Sequence, residues 1–265
     1  MLKEIISTVL AAVQLATGSF MVLPDTASPE EVSKPERSYI IHAGGEIQGY
    51  FGTNSLDALE NAYSKGNRYI EIDFSFSSDL RPVCIHDWNH LSYSGYDGIK
   101  PTSEEFASNT VYSMFTSLTL EKLCDFMKRH EDLYIVTDVK DHNMYFSGIL
   151  KREYPELCDR FIIQVYSEEQ YDFISRLGFE NIIFSLYKLD YYKQMDTDYL
   201  VSFAKEHKLY AYTFNAVLCD TEGYVDAMLE CGTPLFIHTV NDKQMQKKYF
   251  DMGISGIYTD NTTHE

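Results

Sequence analysis

The sequence predicts a single (β/α)8 barrel, with an extra β-hairpin after the second strand and a helical segment at the N-terminus. Three observations carry this expectation. Short β-type runs alternate with helical ones from Tyr39 to Thr259. Leaving out one hairpin return, the β-type runs number eight, the rhythm of a parallel barrel. No Gly-x-Gly-x-x-Gly follows the first run, where a nucleotide-binding open sheet would carry it. A doubly wound open sheet is therefore the alternative. At 265 residues and 45% hydrophobic content, the chain can fill one barrel or two smaller domains.

Taken in order, residues 5–23 carry no charge and just reach bilayer-spanning length. Their only basic flank is Lys3, cancelled by Glu4. Residues 1–23 are expected to be a membrane anchor, an export signal or a helix that caps the barrel. The first two readings place the protein at a membrane or outside the cytoplasm, the third in the cytoplasm. Residues 24–38, with three prolines and several acids, read as a linker, and residues 39–265 as the barrel.

Tyr39 to His42 is a short strand broken by Gly44-Gly45, and Asn54 to Gly66 is a helix with Leu56, Leu59, Ala62 and Tyr63 on one stripe. Tyr69 to Phe74 is the second strand. Ser77-Ser78-Asp79 turns the chain into the hairpin return at Val83 to His86. Residues 88–117, rich in Ser, Tyr, Gly and Asn, show no period and read as a long, functional or mobile excursion. Further helices are expected at 118–130, 145–153, 198–207, 222–231 and 242–252, with strands at 133–140, 161–166, 182–187, 209–214, 235–240 and 257–259. Ser167 with Gln170 forms a capping box for a helix that stops at Gly178.

The net charge of −18 excludes nucleic acid as a natural partner, since such binding needs a basic face. An acidic protein that handles an anionic substrate needs a cation to correct the local field. Five cysteines without Cys-x-x-Cys spacing read as buried thiols rather than a disulfide framework or a zinc site.

In a barrel, chemistry sits where strands end. Glu71 and Asp73 are two apart on one strand and project to one face. Two carboxylates in a packed interior repel unless a cation or proton stands between them, and such ligands suit Mg²⁺ or Ca²⁺. The alternative is that the strand bends one of them outward. Asp138 and Lys140 repeat the spacing; they complete a three-carboxylate site beside a lysine for an anionic substrate, or form an ordinary ion pair at the barrel mouth. His42 and His86 bracket the carboxylate pair at strand ends and suit a general acid and base. His238 lies on a late strand within reach of the site, while His90, His130, His142, His207 and His264 read as surface residues. No Gly-x-Ser-x-Gly elbow, Walker-type loop or His-Glu-x-x-His helix is present.

The runs His42-Ala43-Gly44, Gly52-Thr53-Asn54-Ser55, Glu71-Ile72-Asp73, His86-Asp87 and Asp138-Val139-Lys140 resemble, in order, motifs of the glycerophosphodiester phosphodiesterase family, one of the phosphatidylinositol-phospholipase-C-like barrels. His238-Thr239-Val240-Asn241 and Gly256 to Asp260 resemble its closing segments, so the resemblance spans residues 39–261. It implies a metal-dependent phosphodiesterase acting on a glycerophosphodiester or related lipid headgroup. Mg²⁺ or Ca²⁺ would be held by Glu71, Asp73 and Asp138, with His42 and His86 in acid–base roles and Lys140 and His238 on the substrate. A phospholipase of the same superfamily and a non-catalytic barrel binding a phosphorylated ligand are the alternatives. Three positions depart from the family: Ala43 stands where an arginine holds phosphate, Thr53 where a glutamate binds metal, and His238 where a tryptophan stands. They point to a variant branch with a His-Ala-Gly-Gly opening.

Overall fold

Side chains alternate between two faces along a strand, so a closed parallel sheet has two apolar interiors, one inside the barrel and one beneath the helices. Both are present in the computed structural model, which describes residues 37–89 and 91–263. The strands are β1 (Ser38–Ile41), β2 (Tyr69–Phe76), β3 (Pro82–Cys84), β4 (Thr110–Val111), β5 (Phe115–Thr116), β6 (Tyr134–Val139), β7 (Phe161–Val165), β8 (Ile182–Ser185), β9 (Ala211–Asn215), β10 (Leu235–His238) and β11 (Gly256–Thr259). The helices are α1 (Leu56–Ser64), α2 (Ser103–Ala107), α3 (Leu120–Arg129), α4 (Asn143–Glu153), α5 (Glu168–Arg176), α6 (Tyr191–Met195), α7 (Thr197–Glu206), α8 (Tyr224–Leu229) and α9 (Lys243–Asp251).

Strands β1, β2 and β6 to β11 pair in parallel, and β1 closes the ring by pairing with both β11 and β2. The (β/α)8 expectation holds, and the open sheet is excluded. Ile40, Val136, Ile162, Ile183, Ala211, Phe236 and Tyr258 form the inner cluster. Their strand neighbours Ile41, Ile135, Ile163, Ile182, Tyr212, Leu235 and Ile257 belong to the outer one, packed against the helices. Gly45, at φ +88°, follows β1 where no side chain fits: a Cβ would lie 2.6 Å from Thr262 Cγ2 and 2.7 Å from Ile41 Cγ2.

Several expectations are corrected. The hairpin return ends at Cys84, paired antiparallel with Phe74, so Ile85 and His86 lie beyond the strand. The excursion expected at 88–117 is not structureless. It holds α2, capped by a complete Thr102/Glu105 capping box, and the β4–β5 pair, with a cluster of its own from Val83, Ile85, Tyr93, Phe106, Val111 and Phe115. Its aromatic residues fill this small core instead of forming an amphipathic stripe, which is why no period shows. The capping box expected at Ser167 is half made. Ser167 Oγ accepts from Gln170 N–H, but the Gln170 side chain accepts from Tyr166 N–H and Asn143 instead. His130 and His207, expected at the surface, are half-buried. Each ring stacks on the phenylalanine four residues before it, with Nδ1 on that residue's carbonyl.

All five cysteines are free thiols, four of them buried. Residues 1–23, most of the linker 24–38, and His90 and His264 lie outside the described residues. No helix among the described residues is long and apolar enough to cross a membrane.

Trp88, the single tryptophan of the chain, meets Phe106 edge-on at 5.7 Å within the excursion. Phe106→Ala is expected to destabilise this cluster by about 3–5 kcal/mol and to red-shift Trp88 emission before the barrel melts. An emission maximum identical to that of the parent protein would show that the cluster does not depend on Phe106.

Candidate active site

The inward positions that carry apolar side chains deep in the barrel carry polar ones at its C-terminal mouth. Above Ile40 comes His42, above Val136 come Asp138 and Lys140, above Ile162 comes Gln164, above Ile183 comes Ser185, and above Phe236 comes His238. A cavity of about 220 Å³ opens there, lined by His42, Glu71, His86, Asp138, Lys140, Gln164, Tyr187, His238, Thr239 and Tyr258. Asp73, 2% exposed, does not line it.

The structure brings Glu71, Asp73 and Asp138 together, each offering an oxygen within 4.8 Å of the others. Parallel pairing places Asp73 directly opposite Asp138 on adjacent strands. Neither carboxylate of β2 bends outward. Lys140 Nζ lies 2.7 Å from Asp73 Oδ1 and 2.7 Å from Asp138 Oδ2, drawing the two acids together. Burial opposes the charge on Lys140, but the two carboxylates outweigh it and raise its pKa. Asp138 also accepts hydrogen bonds from the hydroxyls of Tyr166 and Tyr187. Burial works against its ionisation, yet Lys140 and the two tyrosines hold its pKa below the usual value.

Glu71 is the opposite case. Burial foremost, then repulsion from Asp73, pushes its carboxyl well above the ordinary range, with His42 and Lys140 opposing. Its Oε2 accepts the Ala43 N–H at 2.7 Å. The donor chemistry fits a hard divalent cation: three carboxylates converge, burial and repulsion disfavour the charged form of one of them unless a cation stands beside it, and a carboxylate oxygen bonded once keeps a lone pair for a metal.

Asn54, in the left-handed conformation at φ 49°, donates to Asp73 Oδ2 at 2.8 Å and accepts Asp73 N–H at 2.9 Å. Its own N–H bonds the Ala43 carbonyl, tying the turn after β1 to the acid on β2. Ala43 itself is fully buried. Thr53, 1% exposed, bonds Ser55 Oγ.

His42 and His86 are each backed by an aspartate. His42 Nδ1 lies 2.8 Å from Asp260 Oδ1, across the seam where β11 meets β1, and Asp260 Oδ2 accepts from Asn241 at 2.6 Å. His86 Nδ1 lies 2.9 Å from Asp87 on the more open side of the cavity. Partial burial works against a charged His42, but the Asp260 hydrogen bond and the fields of Glu71, Asp73 and Asp260 raise its pKa to about 9. His238, desolvated and next to His42, falls to about 4 and is neutral at physiological pH.

All seven residues singled out in the sequence, His42, His86, Glu71, Asp73, Asp138, Lys140 and His238, thus surround one mouth. Tyr166 and Tyr187 were missed, and Asn54 and Asp260 stood only inside the runs that resemble the family, with no role given. Asp87 could have been read from its adjacency to His86. Nothing local marks Asp260, 218 residues from its partner.

The model of the glycerophosphoryl diester phosphodiesterase family matches residues 43–123. The match is to the family that the motifs resemble. Solved structures agree in fold. A glycerophosphodiester phosphodiesterase from Thermotoga maritima is 19% identical with a TM-score of 0.68, covering 85% of this chain and 95% of that one. One from Parabacteroides distasonis is 20% identical with a TM-score of 0.66, covering 86% and 94%. A phosphodiesterase from Oleispira antarctica, in complex with the product sn-glycerol-3-phosphate, is 17% identical with a TM-score of 0.65, covering 84% and 92%. No curated protein sequence matches this chain.

His42 is expected to titrate near pH 9 in chelator-treated protein, readable from its imidazole NMR resonances. Because the folded pKa lies above the ordinary 6.5, the stability this group contributes is complete below about pH 6.5 and fades as pH rises through 9. Asp260→Asn should move the midpoint down towards 6.5, and an unmoved midpoint would show that Asp260 does not set it.

Proposed function

We propose that the chain is a glycerophosphodiester phosphodiesterase that requires a divalent cation and uses His42 and His86 as acid and base. The observation that carries this reading is the pairing of two aspartate-backed histidines with a three-carboxylate cluster around one cavity. The family match over residues 43–123 and the shared fold support it. The product held by the Oleispira protein suggests that the substrate's glycerophosphate half enters the cavity.

Glu71, Asp73 and Asp138 would hold Mg²⁺ or Ca²⁺, which stabilises charge on phosphoryl oxygens as a Lewis acid. The remaining steps belong to this chain's side chains. Lys140 spends two of its N–H groups on Asp73 and Asp138 and keeps one for a phosphoryl oxygen. His86 takes the proton of the attacking hydroxyl, either water or a substrate hydroxyl beside the phosphate, as the new P–O bond forms. His42, whose protonated form the Asp260 contact favours, gives its proton to the departing alkoxide as the old P–O bond breaks. Asp260 on Nδ1 leaves Nε2 of His42 for that transfer. His238, neutral and edge-on to Tyr187 and Tyr258, shapes the side of the cavity where the substrate lies.

A hydrolysis screen of glycerophosphodiesters and intact phospholipids, with and without chelator, tests the reading. Turnover is expected to vanish on metal removal and return with Mg²⁺ or Ca²⁺. His42→Ala and His86→Ala should each lower kcat by roughly 10²–10⁴-fold. The same cations should raise the Tm of the parent protein but not of Glu71→Gln. Chelator-resistant turnover would refute the metal role, and ligand binding with no turnover in the parent would favour a binding barrel.

A further inference from the structure

Lys140 is charge-balanced twice over by Asp73 and Asp138, each at 2.7 Å. A second ammonium at the same mouth has no such partner. Lys188 leaves the end of β8, crosses the end of β7 with Nζ 4.1 Å from the Tyr166 ring centroid, and donates to the Lys140 carbonyl beyond β6 at 3.1 Å. Tyr187 flanks it at 5.7 Å. Among the described residues no carboxylate lies within ion-pair distance of Lys188; Asp138 and Asp141 act on it only at longer range. In a chain of net charge −18, an uncompensated cation pinned in place by two aromatic rings is unusual. Its carbonyl bond uses one donor and leaves two for a ligand.

The cavity itself, about 220 Å³, is smaller than the several hundred Å³ typical of sites that enclose a whole ligand. A phosphoryl group and one alcohol arm would fill it and leave the other arm to run over the rim; Lys188 does not line the cavity but lies just beyond it, beside the lining residue Tyr187. We propose that Lys188 is a specificity-determining residue, selecting a phosphodiester whose protruding arm carries a second negative charge, a phosphate or a carboxylate. This rests on the phosphodiesterase reading above. Tyr166 and Tyr187 serve it twice, holding Asp138 with their hydroxyls and Lys188 with their rings.

The experiment compares kcat and KM for glycerophosphoglycerol and for the same diester bearing a terminal phosphate, in the metal-loaded parent, Lys188→Met and Lys188→Arg. The parent is expected to prefer the phosphate-bearing diester by roughly tenfold in kcat/KM, the scale of one charge-assisted contact. Lys188→Met should bring the ratio near one through a raised KM for that diester, Lys188→Arg should keep it, and added salt should erode it. Equal kcat/KM for the two diesters in the parent, or a preference that survives in Lys188→Met, overturns the role of Lys188 alone. A parent that cleaves neither diester overturns the phosphodiesterase reading, and this inference with it.

Discussion

Negative charge held inside a closed barrel is the constraint on which the rest of the site depends. Glu71, Asp73 and Asp138 converge where a barrel normally packs branched aliphatic side chains. Removing such groups from water is costly unless each is paired. The neighbouring side chains act as partners for that charge. Lys140 spans two of the acids, Asn54 clasps Asp73 by side chain and backbone, two tyrosine hydroxyls meet Asp138, and a backbone N–H meets Glu71. The least compensated of the three is Glu71, whose pKa burial and Asp73 raise and whose field also acts on His42.

This arrangement also explains what two of the three departing positions do, His238 being the one that lines the cavity. Ala43 contributes only its backbone: the N–H serves Glu71 and the carbonyl serves Asn54. Thr53 is turned into the protein, bonded to Ser55 at the start of α1. Neither side chain lines the cavity.

Much of the fold was legible because strand and helix periods differ and because turn residues punctuate them. Each barrel strand was foreseen to within about two residues at either end, in keeping with the uncertainty of boundaries read from sequence. The carboxylate cluster was legible for a related reason: Glu71/Asp73 and Asp138/Lys140 are polar residues in positions where alternation demands apolar ones. The excursion was opaque because its order comes from aromatic side chains meeting across loops, Trp88, Tyr93 and Phe106 among them, which leaves no period to detect. Asp260 was opaque because its role exists only once the ring is closed. Tyr166 and Tyr187 follow their strands as ordinary tyrosines, and only the register between β6, β7 and β8 turns them towards Asp138.

The His42–Asp260 contact joins the opening strand of the barrel to the end of the last one. It is among the longest-range contacts a chain of this length can make, and loop closure over such a separation comes late in folding. During synthesis, the histidine emerges more than two hundred residues before the aspartate that orients it. A nascent or C-terminally clipped barrel would carry nearly every residue of the mouth and still lack the carboxylate that holds His42. The orientation of His42 is thus coupled to completion of the ring, a dependence set by topology alone.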